Sequence, residues 1–228
     1  MKIILKLSLI GFFLYTGTGA CAQSPTAPEM EGGIKEAIRQ AIKNSIAKVS
    51  SPDGFFKDAS IKLLFPPEAR KAEHTLRSLG LGSVCDKVIL QMNRAAEDAS
   101  KKAAPIFFKA LQKMSIHDAA AIVGGGSNAA TNYFKSTTSS ELTQSFRPVI
   151  DSSLKKLQAT TLYSQAVSKY NAFPLAGEKL DPSLSDYATS KAIDGLFTTI
   201  AGEEARLRSK SGLNSSPLVR KVFSYFNH

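Results

Sequence analysis

The clearest pattern in the chain is in GGIKEAIRQAIKNSIAKVS, where Ile34, Ile38, Ile42 and Ile46 recur every four residues with Ala37, Ala41 and Val49 beside them. That spacing places them on one face of an amphipathic helix. Ser50-Ser51-Pro52-Asp53-Gly54 ends it. In FFKDASIKLLFPPE, Ile61, Leu63 and Phe65 alternate with other residues, the pattern of a short β segment near 60–65, and Pro66-Pro67 stops it. Pro67 suits the first turn of a helix through EARKAEHTLRSL, with Gly80 as its C-cap. Ser83 opens a longer helix through Val84, Val88, Ile89, Met92, Ala95, Ala96 and Ala99, with Pro105 as a kink or break before Ile106, Phe107, Ala110, Leu111 and Met114. Ser115-Ile116-His117-Asp118 reads as a capping box. Gly124 to Gly126 close the helix it opens, and Ser127 or Asn128 caps the next one, AATNYFKS. Helical spacing returns over 139–172, with Pro148 as a kink or boundary. Phe173 to Pro182 reads as a loop. A strong helix runs through SLSDYATSKAIDGLFTTIAGEEARLRSK, and Pro217 opens a last short one ending at Val222, Phe223 and Phe226. The pattern predicts an all-α fold: a single irregular bundle of about eight helices, with at most the one short β segment.

A different pattern occupies the start. Lys2 and Lys6 precede the apolar run Leu7–Tyr15, which has the length of a signal-peptide core. A membrane-spanning helix needs about 20 apolar residues. Two cuts fit the residues after this run. Ala20-Cys21-Ala22 suits ordinary cleavage after Ala22. Thr18-Gly19-Ala20-Cys21 resembles a bacterial lipobox, in which Cys21 becomes the first residue and carries lipid, although Thr18 stands where Leu is usual. Cysteine is an uncommon residue to find at that position by chance, which favours lipidation. Ala22 and Gln23 come next, with no Asp to suggest retention at the inner membrane. Residues 1–22 thus read as a signal peptide, 23–30 as a polar tether with two prolines and 31–228 as the helical domain. This organisation places the protein outside the cytoplasm, in the periplasm or as an outer-membrane lipoprotein.

Composition narrows the functions. Cleavage leaves a chain of sufficient length for one sizeable domain with a real core. The net charge of +10 falls to +8 once Lys2 and Lys6 are removed. A basic balance raises nucleic acid as a partner. Export and the lack of a dense basic run interleaved with aromatic residues argue against it. Anionic headgroups or acidic polymers suit an exported basic protein better, and solubility alone explains the charge more simply than any specific partner. The two cysteines are Cys21 and Cys85. Cys85 falls on an apolar helical face with Leu81, Val84, Val88 and Met92, where a thiol behaves as a small hydrophobe. Lipidation or removal of Cys21 therefore precludes an internal disulfide.

Candidate chemistry is sparse. VGGGSNAAT precedes a helix whose N–H groups could hold an anion. It lacks the spacing of a phosphate-binding loop, and a plain helix–turn–helix connection explains it as well. QMNRAAEDASKK places Asn93, Glu97 and Lys101 on one helical face, with Arg94 and Asp98 beside them. They read either as a polar groove or as ordinary ion pairs at i,i+4 spacing. Asn93 and Arg94 directly follow apolar residues, so burial of either would require partners. Asp194, Glu203 and Glu204 are the other candidate carboxylates. Glu203 and Glu204 point about 100° apart on a helix, so they are not facing partners. His74, His117 and His228 are scattered without metal-ligand spacing, and no cofactor motif is present.

Taken together, GGIKEAIRQAIKNSI, LFPPEARKAEHTLRSLGLGSVCDKVILQMNRAAEDA, APIFFKALQKMSIHDAAAIVGGGSNAATNYFKSTT and KAIDGLFTTIAGEEARLR with VRKVF resemble, in order, DUF4197, a bacterial family of exported proteins of unknown function. The resemblance covers nearly all of residues 31–226. It implies one helical domain behind a signal peptide, and it implies no activity and no catalytic residues. It marks Asn93-Arg94-Ala95-Ala96-Glu97 and Asp194-Gly195-Leu196-Phe197 as signatures, with their role as fold or site left open. The expected function is a lipid-anchored envelope module that binds a protein or hydrophobic ligand. The alternative is an envelope hydrolase using Glu97, Glu203 or Glu204, which requires at least two of these carboxylates to converge in one pocket.

Overall fold

The computed structural model describes residues 26–156, 159–172, 179, 183–209 and 216–219. Eight α-helices occur among them: α1 (Ala27–Val49), α2 (Arg70–Leu76), α3 (Gly82–Ser100), α4 (Ala103–Lys113), α5 (Ile116–Gly124), α6 (Ala129–Lys156), α7 (Ala159–Asn171) and α8 (Leu184–Arg208). The described residues contain no strand. The expected signal peptide, Cys21, most of the loop expected over 173–182 and the end of the expected C-terminal helix lie outside the described residues.

α6 and α8 pack along one another at the centre of the bundle. α3 lies against both, and α1 covers α8. Phe107, fully buried, joins the layers. It meets Phe134 of α6 edge-on at 5.9 Å and Phe197 of α8 edge-on at 5.8 Å. Such edge-to-face pairs are favourable beyond the area they bury.

The start of α1 differs from the reading of 23–30 as a tether. The helix begins at Ala27 because Thr26 and Glu29 form a capping box: Thr26 Oγ1 accepts from the Glu29 N–H, and the Glu29 carboxylate accepts from the Thr26 N–H at 2.8 Å. Two satisfied N-terminal donors offset the helix cost of Gly32 and Gly33. Gly80 has φ +81°, the left-handed turn expected of it, between α2 and α3. Pro105 acts upstream of itself. Its ring excludes a helical carbonyl at residue 101, and α3 and α4 are separated at Lys101–Lys102. Pro148 does not bound a helix, because α6 runs through it and unites two segments read as separate. Leu142, Phe146, Ile150 and Leu154 are buried on one face while Pro148 is exposed, so the lost hydrogen bond faces water.

Candidate functional site

Asn93, Arg94, Glu97 and Glu204 fall into two groups, both built around buried side chains that bind backbone; Asp194 and Glu203 belong to neither. The first holds the segment between α1 and α2 onto α3. Asn93 is fully buried. Its Oδ1 accepts from the Leu63 N–H at 2.9 Å, and its Nδ2 donates to the Leu63 carbonyl at 2.8 Å and the Ile89 carbonyl at 2.7 Å. A side-chain amide thus takes the place of a neighbouring strand. This explains why Ile61, Leu63 and Phe65 alternate like a β segment: they are buried along a stretch without regular structure, with no strand beside it among the described residues.

One turn further along α3, Glu97 is 4 % exposed. Its Oε1 accepts from the N–H groups of Phe55 (3.2 Å) and Phe56 (3.4 Å), and its Oε2 pairs with Arg94 at 2.8 Å. Arg94 continues to Asp53 at 2.7 Å, and Asp53 also pairs with Lys57. Hydrogen bonds from Lys57 and then Arg94 hold the Asp53 carboxyl below its ordinary range. Asp53 itself has φ +67°, a left-handed turn, so this ion pairing secures an otherwise unfavourable backbone. The second signature serves the same segment. A methyl group built on Gly195 would lie 2.5 Å from the Phe55 ring. Gly195 is therefore the seat of fully buried Phe55. Asp194, beside it, points elsewhere and forms long pairs with Lys135 (3.8 Å) and Lys191 (3.6 Å).

The second group joins the end of α5 to the start of α6. Glu204 is 5 % exposed. Its carboxylate accepts from the Ala130 N–H (2.9 Å), the Thr131 N–H (2.8 Å) and the Thr131 hydroxyl (2.7 Å). It also takes two bonds from Arg208, at 3.0 and 2.8 Å. Arg208 in turn donates to the Ile122 carbonyl at 2.7 Å and the Val123 carbonyl at 3.4 Å, in the last turn of α5. The anion sits at the positive end of one helix and the cation at the negative end of another. The glycine-rich connection does hold an anion, and that anion is the protein's own Glu204. The sequence hinted at the N–H donors but not at the acceptor they meet, which is distant in the chain.

Glu203 points away from its neighbour, toward Asn44 of α1 (3.2 Å) and Arg206 (2.8 Å). Burial raises its pKa, but the hydrogen bonds from Arg206 and Asn44 outweigh burial and leave it lowered. Glu97, Glu203, Glu204 and Asp194 each have a separate set of partners, so the geometry does not assemble an acid–base pair from them. Cys85 is buried, and burial raises its thiol pKa. No cluster of three or more potential metal-ligating side chains occurs among the described residues.

An apolar cleft lies between α1, α5, α6 and α8, lined by Ile38, Ile42, Val123, Phe134 and Leu207, with Glu204 and Arg208 at its edge. Its volume of about 30 Å³ has room for a few waters at most. Small-molecule sites occupy about 300–1,000 Å³.

These features define an all-α bundle in which Asn93, Glu97 and Glu204 hold backbone in place. The chain belongs to DUF4197, described as a protein of unknown function, whose family model matches residues 24–224. No curated protein and no solved structure matches it.

Proposed function

We propose that the chain is an exported domain tethered to the bacterial cell envelope by lipid on Cys21, and that it acts by binding a partner through its surface. The observation that carries this reading is the junction at the start of the chain. A signal-like apolar run is followed by Gly19-Ala20-Cys21, and the cap of the first helix, Thr26, stands only five residues after that cysteine. A folded domain so close to the cysteine suits a short tether from a bilayer. Binding is favoured over hydrolysis because Asn93, Glu97 and Glu204 are engaged by backbone groups. A surface partner is favoured over a small ligand because the cleft is only about 30 Å³.

Intact mass of the native protein tests the anchor. The expected species begins at Cys21 and carries acyl chains, and Cys21→Ala leaves the membrane fraction. An unmodified chain beginning at Gln23 in the native protein would remove the anchor from this reading.

A further inference from the structure

We infer that the face shared by α1 and α4 binds a linear acidic polymer that presents phosphate groups. This names the partner in the surface-binding reading and rests on it. Arg39 of α1 lies over the Phe108 ring of α4, its guanidinium carbon 5.3 Å from the ring centre. That contact sets the two helices side by side. Their direction follows from Glu97 of α3, which holds Phe55 and Phe56 just beyond the end of α1. The junction of α3 and α4 at Lys101–Lys102 comes one turn after Glu97, so α4 starts near the last turns of α1 and runs back along it. Lys43 therefore sits toward Lys102, and Lys113 toward Lys35.

This face is basic. Arg39 and Lys43 are exposed on α1 at i,i+4 spacing, and Lys102, Lys109 and Lys113 are exposed along α4, a helix with no Asp or Glu. Lys102 to Lys113 covers about 16 Å of helix. Lys109 pairs with Glu141 at 3.0 Å, and Lys101 pairs with Asp98 at 2.7 Å. Arg39, Lys43, Lys102 and Lys113 have no carboxylate partner among the described residues. Of the acids on α1, Glu29 is engaged by the Thr26 cap, Glu31 is held by Lys35 at 2.7 Å and Glu36 is exposed. The side chains also select the occupant. Lysine is a compact point charge that meets phosphate without a fixed geometry, and lysines spaced along a helix match charges repeated along a chain. The exposed large apolar residues, Leu64, Leu81 and Ile116, are on neither helix. That disfavours a protein partner, whose interface core is poor in Lys, and a bilayer, which a helix enters by an apolar face. Phe108 is half-buried with Arg39 over it, so its ring is not open to the stacked bases of single-stranded nucleic acid.

The test titrates processed Cys21→Ala protein, which cannot take lipid, with inorganic polyphosphate at about 0.1 M salt, where exposed charges more than about 10 Å apart are screened. Binding that weakens steeply as salt is raised is expected. Lys43→Gln, Lys102→Gln and Lys113→Gln together should weaken it by roughly tenfold or more. Lys71→Gln, Lys87→Gln and Lys156→Gln together remove the same charge from exposed lysines of α2, α3 and α6, and should weaken it less than about twofold. Circular dichroism confirms that each variant keeps its helices; if the α1–α4 variant loses them, Lys113→Gln alone decides, by a larger loss than Lys156→Gln. No binding, an equal loss in the two triple variants, or tighter binding to phosphatidylglycerol vesicles or single-stranded DNA at equal phosphate concentration would overturn the inference. Failure of the anchor reading is separate, because it is read from the mass at Cys21 and not from polymer binding.

Discussion

Glu204 and Arg208 show how a single ion pair can order two helix ends. A carboxylate at 5 % exposure is costly to desolvate and persists only when its oxygens are hydrogen-bonded. Here five donor contacts meet it, from Ala130, Thr131 and Arg208. Glu204→Ala should cost about 3 kcal/mol, because it leaves two N–H groups and a partly buried guanidinium without their acceptor. For a domain of this size that lowers Tm by roughly 6–12 °C, measurable by thermal unfolding. A change of less than about 2 °C would show that the pair is replaced by water. The i,i+4 spacing of the pair was visible in the sequence. Its attachment to the Ile122 and Val123 carbonyls was not, because nothing local marks which helix ends a side chain will meet.

Among the elements, the segment from Asp53 to Phe65 has no regular structure of its own, and α3 and α8 hold it. Asn93 binds Leu63, Glu97 binds Phe55 and Phe56, and Gly195 makes room for the Phe55 ring. Asn93→Ala and Gly195→Ala therefore act on the same segment by different means. The first leaves the Leu63 N–H and carbonyl without their partner, and the second drives a methyl group into an aromatic ring. Each is expected to cost about 2–3 kcal/mol and to raise amide exchange at residues 55–63 before the α6 and α8 core opens. Exchange that rose uniformly across the chain would contradict a locally held segment. The two signature stretches are thus explained by a common structural task, although they are far apart in the chain.

Across the molecule, acidity is the condition that bears on many sites at once. Asp58 is lowered to about 2, first by the hydrogen bond from Lys48 and then by that from Ser60. Asp53, Asp118 and Asp151 are lowered by their own hydrogen bonds, and Glu203 is lowered in spite of burial. A carboxyl with a folded pKa below its unfolded value stabilises the fold above the unfolded pKa of about 4, and that contribution is lost as pH falls through the folded pKa. Thermal stability should therefore be steady from neutral pH to about 5 and fall steeply between about pH 4 and 2. A Tm unchanged down to about pH 2 would show that these pairs are too well solvated to matter.

Local sequence was enough to specify most of the helices, because four-residue apolar spacing, the capping box at Ser115 and the turn at Gly80 are properties of neighbouring residues; the Thr26 box that starts α1 lies in residues read as a tether. The signal-like start and the family likeness were legible there too. The work of the polar residues was settled by tertiary packing. Asn93, Glu97 and Glu204 have identical local spacing whether they face solvent or backbone, and their partners lie 30, 41–42 and 73–74 residues away. Packing brings those backbone groups to them, so a pattern that read as a polar groove or as ordinary ion pairs becomes the means by which a loop and two helix ends are held.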